Sequence, residues 1–379
     1  MGGIKSIGGV SFMEIKKERQ GRATKLTLVV DGEEVSHLWV IDYEMRIGSA
    51  VMRMGGIAGV WTEEKHRLKG YASKVLNASI DFMKEEGYDV SLLFGIPNFY
   101  HRFGYATVLP RYTAYLDMRN IPSSPSRFKT IPYEERFKKA VLEIYEENNK
   151  KRTGTIVRSM EKWEGFTHGN SWSSKALPFV ILEGEEVVAY FVIDSEEPIV
   201  IELGYKKPDK EIFYALLSQI RLVAEERNNP VFSFSLPPDF LFTEFCQRYD
   251  LRLNIEFPEN RDGMGRIINI ITFLYKLQEV FRSRIGYNQR EGILIIETEI
   301  GEVPFDIKGD TILFIPFLPP FGWKLKIPQA KLMQLAMGYR SIDELLLDED
   351  VSLQGEEALP ILRNLFPKQF PFFWPADRF

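Results

Sequence analysis

The stretch Val60-Trp61-Thr62-Glu-Glu-Lys-His-Arg67-Leu68-Lys69-Gly70-Tyr71-Ala72 lies where a β-rich run gives way to an amphipathic helical pattern. Arg-x-x-Gly-x-Ala at such a junction can hold a pyrophosphate. The first-turn N–H groups of a helix are unpaired and carry the positive end of its dipole. They bind an anion wherever the backbone can come close to it. Gly70 removes the Cβ that would block that approach, and Arg67 adds a permanent positive charge. The stretch is neither the Gly-x-x-x-x-Gly-Lys-Ser/Thr loop of nucleotide sites nor the Gly-x-Gly-x-x-Gly of dinucleotide sites. Six residues of this kind also fit an ordinary helix start with Arg67 and Lys69 exposed. The meander before them and the strand after them favour the phosphate reading.

Other reactive residue types are less organised. His37, His66, His101 and His168 are scattered without metal-ligand spacing, so no metal is expected. Glu63 and Glu64 stand at a strand end and could act as bases, although a solvated loop is the safer reading. The one cysteine, Cys246, sits in an apolar stretch and reads as core filler. A lone cysteine cannot form an internal disulfide, which points to a reducing, cytoplasmic compartment.

The elements that must carry this chemistry follow an α+β plan with an internal repeat. Residues 31–42, Asp-Gly-Glu-Glu-Val-Ser-His-Leu-Trp-Val-Ile-Asp, are echoed at 183–194, Glu-Gly-Glu-Glu-Val-Val-Ala-Tyr-Phe-Val-Ile-Asp. Each copy is an acidic Gly turn between two β-rich runs, a hairpin signal. After the first copy come a β run over 49–62 and a helix over 70–86 with the stripe Ala72, Val75, Leu76, Ile80 and Met83, closed by Gly87. A buried strand at 90–94, a short helical turn at 97–103 ending at Gly104, and a strand at 112–116 complete the unit.

A Pro/Ser linker at 121–127 leads to the second unit. It has a helix at 137–145, a hairpin of 178–182 with 187–193, a strand at 198–205, a helix at 210–226 and a strand at 231–235. The corresponding junction there reads Gly204-Tyr-Lys-Lys-Pro-Asp-Lys210, without Arg-x-x-Gly-x-Ala, and is expected to be inactive. A polar stretch at 259–263 opens a third unit, with a helix at 273–281, strands at 292–298 and 302–307, and helices at 328–338 and 341–348. The chain ends Phe370-Pro-Phe-Phe-Trp-Pro-Ala-Asp-Arg-Phe379.

Length and composition fit this division. At roughly 100–200 residues per domain, 379 residues allow two to four domains. The chain is 45% apolar and 27% charged, with a net charge of −5. That is a globular composition without the basic footprint of a nucleic-acid binder. No apolar run approaches the ~18 residues of a membrane span. The start, Met1 to Ser6, fits the loose myristoylation pattern, which is short enough to arise by chance.

With these residues in view, the sequence resembles the GNAT N-acetyltransferases, whose coenzyme loop has the form Arg/Gln-x-x-Gly-x-Gly/Ala. It is most similar to the enhanced-intracellular-survival (Eis) type, through Phe99-Tyr100-His101-Arg102-Phe103-Gly104-Tyr105 and the terminal Phe379. The resemblance implies tandem GNAT folds followed by a sterol-carrier-protein-like α+β domain. Residues 1–122 would be the active domain binding acetyl-CoA, 123–262 a degenerate copy, and 263–379 the domain that supplies the C-terminus to the active site.

It also implies roles. Val60, Trp61 and Thr62 would offer backbone to the pantetheine and acetyl groups. Arg67, Leu68, Lys69, Gly70, Tyr71 and Ala72 would hold the pyrophosphate. Tyr100 would protonate the leaving thiolate, and the Phe379 carboxylate would act as base. The implied reaction is acetyl transfer by direct attack of a primary amine, of aminoglycoside, polyamine or lysine type. The implied assembly is a homo-oligomer, up to a hexamer, with neither nucleic acid nor membrane as partner. The alternative is a lipid or apolar-ligand carrier that uses the third domain, with the GNAT units as scaffold. The sequence departs from the type in three ways. Only about 23 residues precede the first clear strand, too few for two opening helices. Arg378 stands where an acid is expected for a polycationic substrate. The second unit lacks the coenzyme loop.

Overall fold

The computed structural model describes residues 12–122, 127–286 and 290–379. The Met1–Ser6 pattern and residues 123–126 of the linker lie outside them. Strands and helices are numbered along the chain. The first sheet runs β1 (Met13–Gln20), β2 (Ala23–Val30), β3 (Glu33–Ile47), β4 (Ala50–Thr62), β5 (Val90–Gly95), β14 (Asp262–Ile267) and β6 (Ala106–Thr107). It is antiparallel except at β4–β5, where α1 (Tyr71–Glu85) makes a crossover between parallel neighbours. The β2–β3 turn puts Asp31 and Gly32 at φ +52° and +87°, the backbone of a two-residue hairpin. Helix α1 ends as its Gly87 suggests. Gly87 is left-handed at φ +74°, its N–H bonds to the Lys84 carbonyl, and the Tyr88 N–H reaches back to Met83. That is a Schellman closure.

The faces of the first sheet pack on different partners because side chains alternate along a strand. Leu38, Val40 and Ile57 pack with Val75, Leu76 and Met83 of α1. Met45, Ile47, Met52 and Met54 pack instead with Phe273, Leu277 and Phe281 of α5 (Ile270–Ile285). The third unit therefore covers the back of the first sheet.

The second sheet runs β13 (Arg252–Glu256), β7 (Arg111–Asp117), β12 (Val231–Phe234), β11 (Ile199–Tyr205), β10 (Glu186–Asp194), β9 (Ala176–Glu183) and β8 (Lys129–Pro132). It carries α2 (Lys138–Asn149), α3 (Lys210–Glu226) and α4 (Leu241–Cys246). Cys246 is buried in its core, and burial pushes its thiol up to about 12. The third sheet runs β17 (Thr311–Phe314), β16 (Gly301–Lys308), β15 (Gly292–Thr298), β18 (Trp323–Lys326) and β19 (Ser352–Gln354), with α6 (Gln329–Ala336), α7 (Ile342–Leu345) and α8 (Leu359–Leu365). No helix among the described residues is long and apolar enough to cross a membrane.

Three sequence expectations are corrected. The first strand does not start near residue 24: among the described residues β1, at Met13–Gln20, precedes it. Its residues Glu14-Ile-Lys-Lys-Glu-Arg-Gln20 are mostly exposed, as on an edge strand defended by charge, so no apolar alternation marks it. The strand at 111–117 does not close the first sheet. It pairs in the second with β12 and β13. Conversely, β14 returns to the first sheet between β5 and β6.

The C-terminal segment threads between the first two sheets. Phe372 donates its N–H to the Thr153 carbonyl at 2.9 Å, and the indole N–H of Trp374 donates to Asn149 Oδ1 at 3.0 Å. Asp377 then meets a buried cation. Arg158 donates through Nε to Asp377 Oδ1 at 2.8 Å and through its two Nη atoms to Glu202 at 2.7 and 2.6 Å. The Tyr145 hydroxyl lies 3.1 Å from Asp377 Oδ2, and Tyr190 donates to Glu202 at 2.8 Å. The guanidinium sits 3.8 Å from the centre of the Tyr145 ring. Both carboxylates are buried with it.

Removing the cation would leave two buried carboxylates unpaired. Arg158→Ala is expected to cost on the order of 3–5 kcal/mol, read as a fall in the urea unfolding midpoint. An unchanged midpoint would contradict this role.

Candidate functional site

The site begins where β4 and β5 part. Their parallel pairing runs from Met54/Val90 to Ile57/Leu93 and stops, while β4 continues to Thr62 and β5 to Gly95. Just before the parting, Tyr105 donates to Ser91 Oγ at 2.8 Å, and Ser91 donates to the Gly55 carbonyl at 2.8 Å. The two strands are thereby pinned below the opening. On its other side β4 carries a bulge. Trp39 pairs with Ala58 and His37 with Trp61, so Gly59 and Val60 oppose Leu38 alone. Gly59 takes φ +55° to do so, and a bulge of this kind re-aims the backbone beside it. Gly59 was not among the candidate residues, although a lone Gly inside a strand pattern is a known bulge signal.

Of the predicted coenzyme residues, Val60 lines the central cavity. Trp61 is exposed and stacks on His37 with ring centroids 5.1 Å apart. The Thr62 hydroxyl lies 2.9 Å from Ser36 Oγ. Arg67, Leu68, Lys69 and Gly70 form an exposed loop, and Tyr71 and Ala72 enter the first turn of α1. Leu68, fully exposed, is held at φ +63°, a strained choice for a leucine and one that clusters at ligand clamps.

Gly70 is the N-cap at φ +77°, where a Cβ would meet nothing within 4 Å. The glycine therefore keeps open space in front of the first turn. That turn has no side-chain cap and no acid, so its N–H groups stay available. The equivalent helix of the repeat is closed: Asp209 caps α3 by accepting from the Glu211 N–H at 2.8 Å, and Glu211 adds a second acid.

The cavity has a volume of about 1090 Å³ and lies between the first and second sheets. Tyr100 and Phe379, far apart in sequence, both line it. Tyr100 begins the short helical turn 100–103, which Gly104 ends at φ +75°. Gln329 of α6 holds that end by donating to the Gly104 carbonyl at 2.6 Å, and Arg266 donates to Phe103. The Tyr100 ring is seated against Gly95, where a Cβ would come within 2.7 Å of it. Its hydroxyl makes no hydrogen bond among the described residues. Burial pushes its phenol above the usual tyrosine range, so it stays a proton donor at neutral pH.

Phe379 packs its ring against Tyr43 at 5.1 Å, Phe94 at 5.8 Å and Phe373 at 6.1 Å. Gly56 gives the room: a Cβ there would stand 2.7 Å from the ring. Among the described residues the terminal carboxylate makes no ion pair. Glu63 and Glu64 do not line the cavity.

Comparison with known proteins shows what the fold resembles. Residues 9–108 match the family model of the acetyltransferase (GNAT) domain. No curated protein matches the chain. Among solved structures, a probable N-acyltransferase of Enterococcus faecalis V583, a conserved protein of unknown function, is similar at 15% identity and a TM-score of 0.76, covering 98% of this chain and 100% of that one. A GCN5-related N-acetyltransferase of Kribbella flavida is similar at 16% identity and a TM-score of 0.70, covering 94% and 87%. Eis1 of Mycobacterium abscessus is similar at 15% identity and a TM-score of 0.65, covering 95% and 92%. The protein is thus an α+β chain of three mixed sheets with a GNAT domain, sharing its multi-domain fold with Eis1 over most of its length.

The Gly56–Phe379 contact gives a direct check on the tail. Gly56→Ala should destabilise the protein by about 1–3 kcal/mol through overpacking, and by much less when Phe379→Ala is also present. A double-mutant cycle in urea with no coupling would contradict the contact.

Proposed function

We propose that this protein transfers an acetyl group from acetyl-CoA to a primary amine bound in the central cavity. The observation that carries this is the open, uncapped N-terminus of α1 beside the parting of β4 and β5. The same fold closes the equivalent helix with Asp209. Acetyl-CoA supplies an activated thioester, and transfer forms the amide C–N bond while the C–S bond breaks.

The chain's own groups divide the remaining work. The first-turn N–H groups of α1 and Arg67 hold the pyrophosphate. The backbone of Val60 to Thr62, re-aimed by the bulge at Gly59, lines the pantetheine path. Tyr100, kept protonated by burial, gives its proton to the departing sulfur. The amine must shed a proton to attack, and the Phe379 carboxylate, free of any ion pair among the described residues, accepts it directly or through water. The barrel of apolar rings around Phe379 holds that charge in position, which is where most of the catalytic advantage of a base resides.

Two measurements test these assignments. Calorimetry should find one coenzyme A site per chain, and Gly70→Asp should abolish it by adding bulk and negative charge at the phosphate position. Two equivalent sites would contradict the reading. Tyr100→Phe should lower turnover on an amine panel, followed as free thiol release, by ~10²–10⁴-fold with little change in coenzyme A affinity. Undiminished turnover would make Tyr100 a packing residue.

A further inference from the structure

We propose that Arg378 anchors an anionic group of the acceptor, so that the acceptor is a carboxylate-bearing primary amine and not a polycation. This rests on the acetyl-transfer reading and names its substrate class. Arg378 lines the cavity beside Phe379. Its Nε is buried without a hydrogen-bond partner, and among the described residues its guanidinium makes no ion pair. The guanidinium lies over the Phe94 ring at 5.4 Å. A partly buried cation without a close counter-ion is unfavourable, and Asp262 offsets its charge only in part.

Most acids lining the cavity are engaged elsewhere or exposed, although Asp262 keeps one buried oxygen, Oδ2, without a hydrogen-bond partner. Asp42 accepts from Arg53 at 3.0 Å, Asp262 from Arg111 at 3.1 Å, and Asp377 from Arg158 at 2.8 Å. Glu44 and Glu164 are exposed. The electrostatics agree with an unmet cation: burial lowers the proton affinity of Arg378, Arg111 adds repulsion, and Asp262 only partly offsets them. A carboxylate matches the planar donor fork bidentately. Such an acceptor would set its anion on Arg378 and present its amine towards the adjacent Phe379 carboxylate. A polycation would instead meet the same guanidinium as a like charge.

The test compares matched acceptors in the thiol-release assay on the full chain: the twenty common amino acids, their carboxamides, and spermine. The expected result is that the best amino acid exceeds its own carboxamide in kcat/KM by roughly 10–100-fold, the range of a charge-assisted pair. Arg378→Gln should erase most of that ratio, and Arg378→Lys should restore part of it. The ratio separates recognition from structure, because a merely displaced Phe379 would slow acid and amide alike. Spermine as the better substrate, or a ratio unchanged in Arg378→Gln, would overturn the proposal. If no amine at all is acetylated, the acetyl-transfer reading itself fails, and calorimetry then decides Arg378 separately. Wild type binding an amino acid more tightly than Arg378→Gln does would sustain the anchor, and wild type binding none of the twenty would overturn it.

Discussion

Arg158 holds two carboxylates from distant parts of the chain, Glu202 on β11 and Asp377 in the tail, with the tyrosines Tyr145 and Tyr190 completing the shell. Buried ion pairs add little net stability once desolvation is counted. Their value lies in geometry, since only one arrangement leaves no charge unmet. Asp377 therefore has a single place to be, and it is two residues from the end of the chain. A C-terminus is ordinarily frayed. Here the cluster, together with the Trp374 indole bond and the Phe379 ring packed on Gly56, fixes Phe379 at the wall of the cavity between the first and second sheets.

The opposite wall depends on strand geometry. A parallel pair that stops short leaves backbone groups of β4 without strand partners, and these must find water or a ligand. The bulge at Gly59 re-aims the strand there, and Val60 is the last residue of β4 that lines the cavity. The duplicated unit shows how little is needed to close a helix start. Asp209 spends its side chain on the helix N–H groups that α1 leaves open. The two repeats thus share hairpins and sheet order, with crossover helices of 15 and 17 residues, while differing in how the helix start is capped.

Much of this was legible in the sequence, and the reasons differ by element. The helix at 210–226 and the strand at 292–298 coincide with their observed spans, because periodicity and local caps determine both. Gly87 and Gly104 announced real helix ends. Sheet membership was not legible. Whether 111–117 pairs at home or in the next sheet is decided by partners more than a hundred residues away, β12 and β13. Strand β1 escaped because an edge strand rich in charge shows no alternation. The site divided along the same line. The Arg67–Ala72 loop is local and carries its own signal, whereas Tyr100 and Phe379 entered only through resemblance. The Arg158 cluster that brings the tail to the cavity has no sequence signature at all, since its three charges lie in separate elements.

The central claim is that the tail delivers a carboxylate to a fixed point. Appending a single glycine after Phe379 moves that charge by up to ~3.6 Å while leaving the ring, Asp377 and Trp374 in place. A misplacement of ~1 Å already costs around 10²-fold in a positioned reaction. The measurement is the steady-state rate of amine acetylation by the native and the glycine-extended chains, with melting temperature and coenzyme A affinity as controls. The account expects both controls to hold and the rate to fall by at least ~10²-fold. Equal rates would contradict it, and would reduce the buried tail to packing.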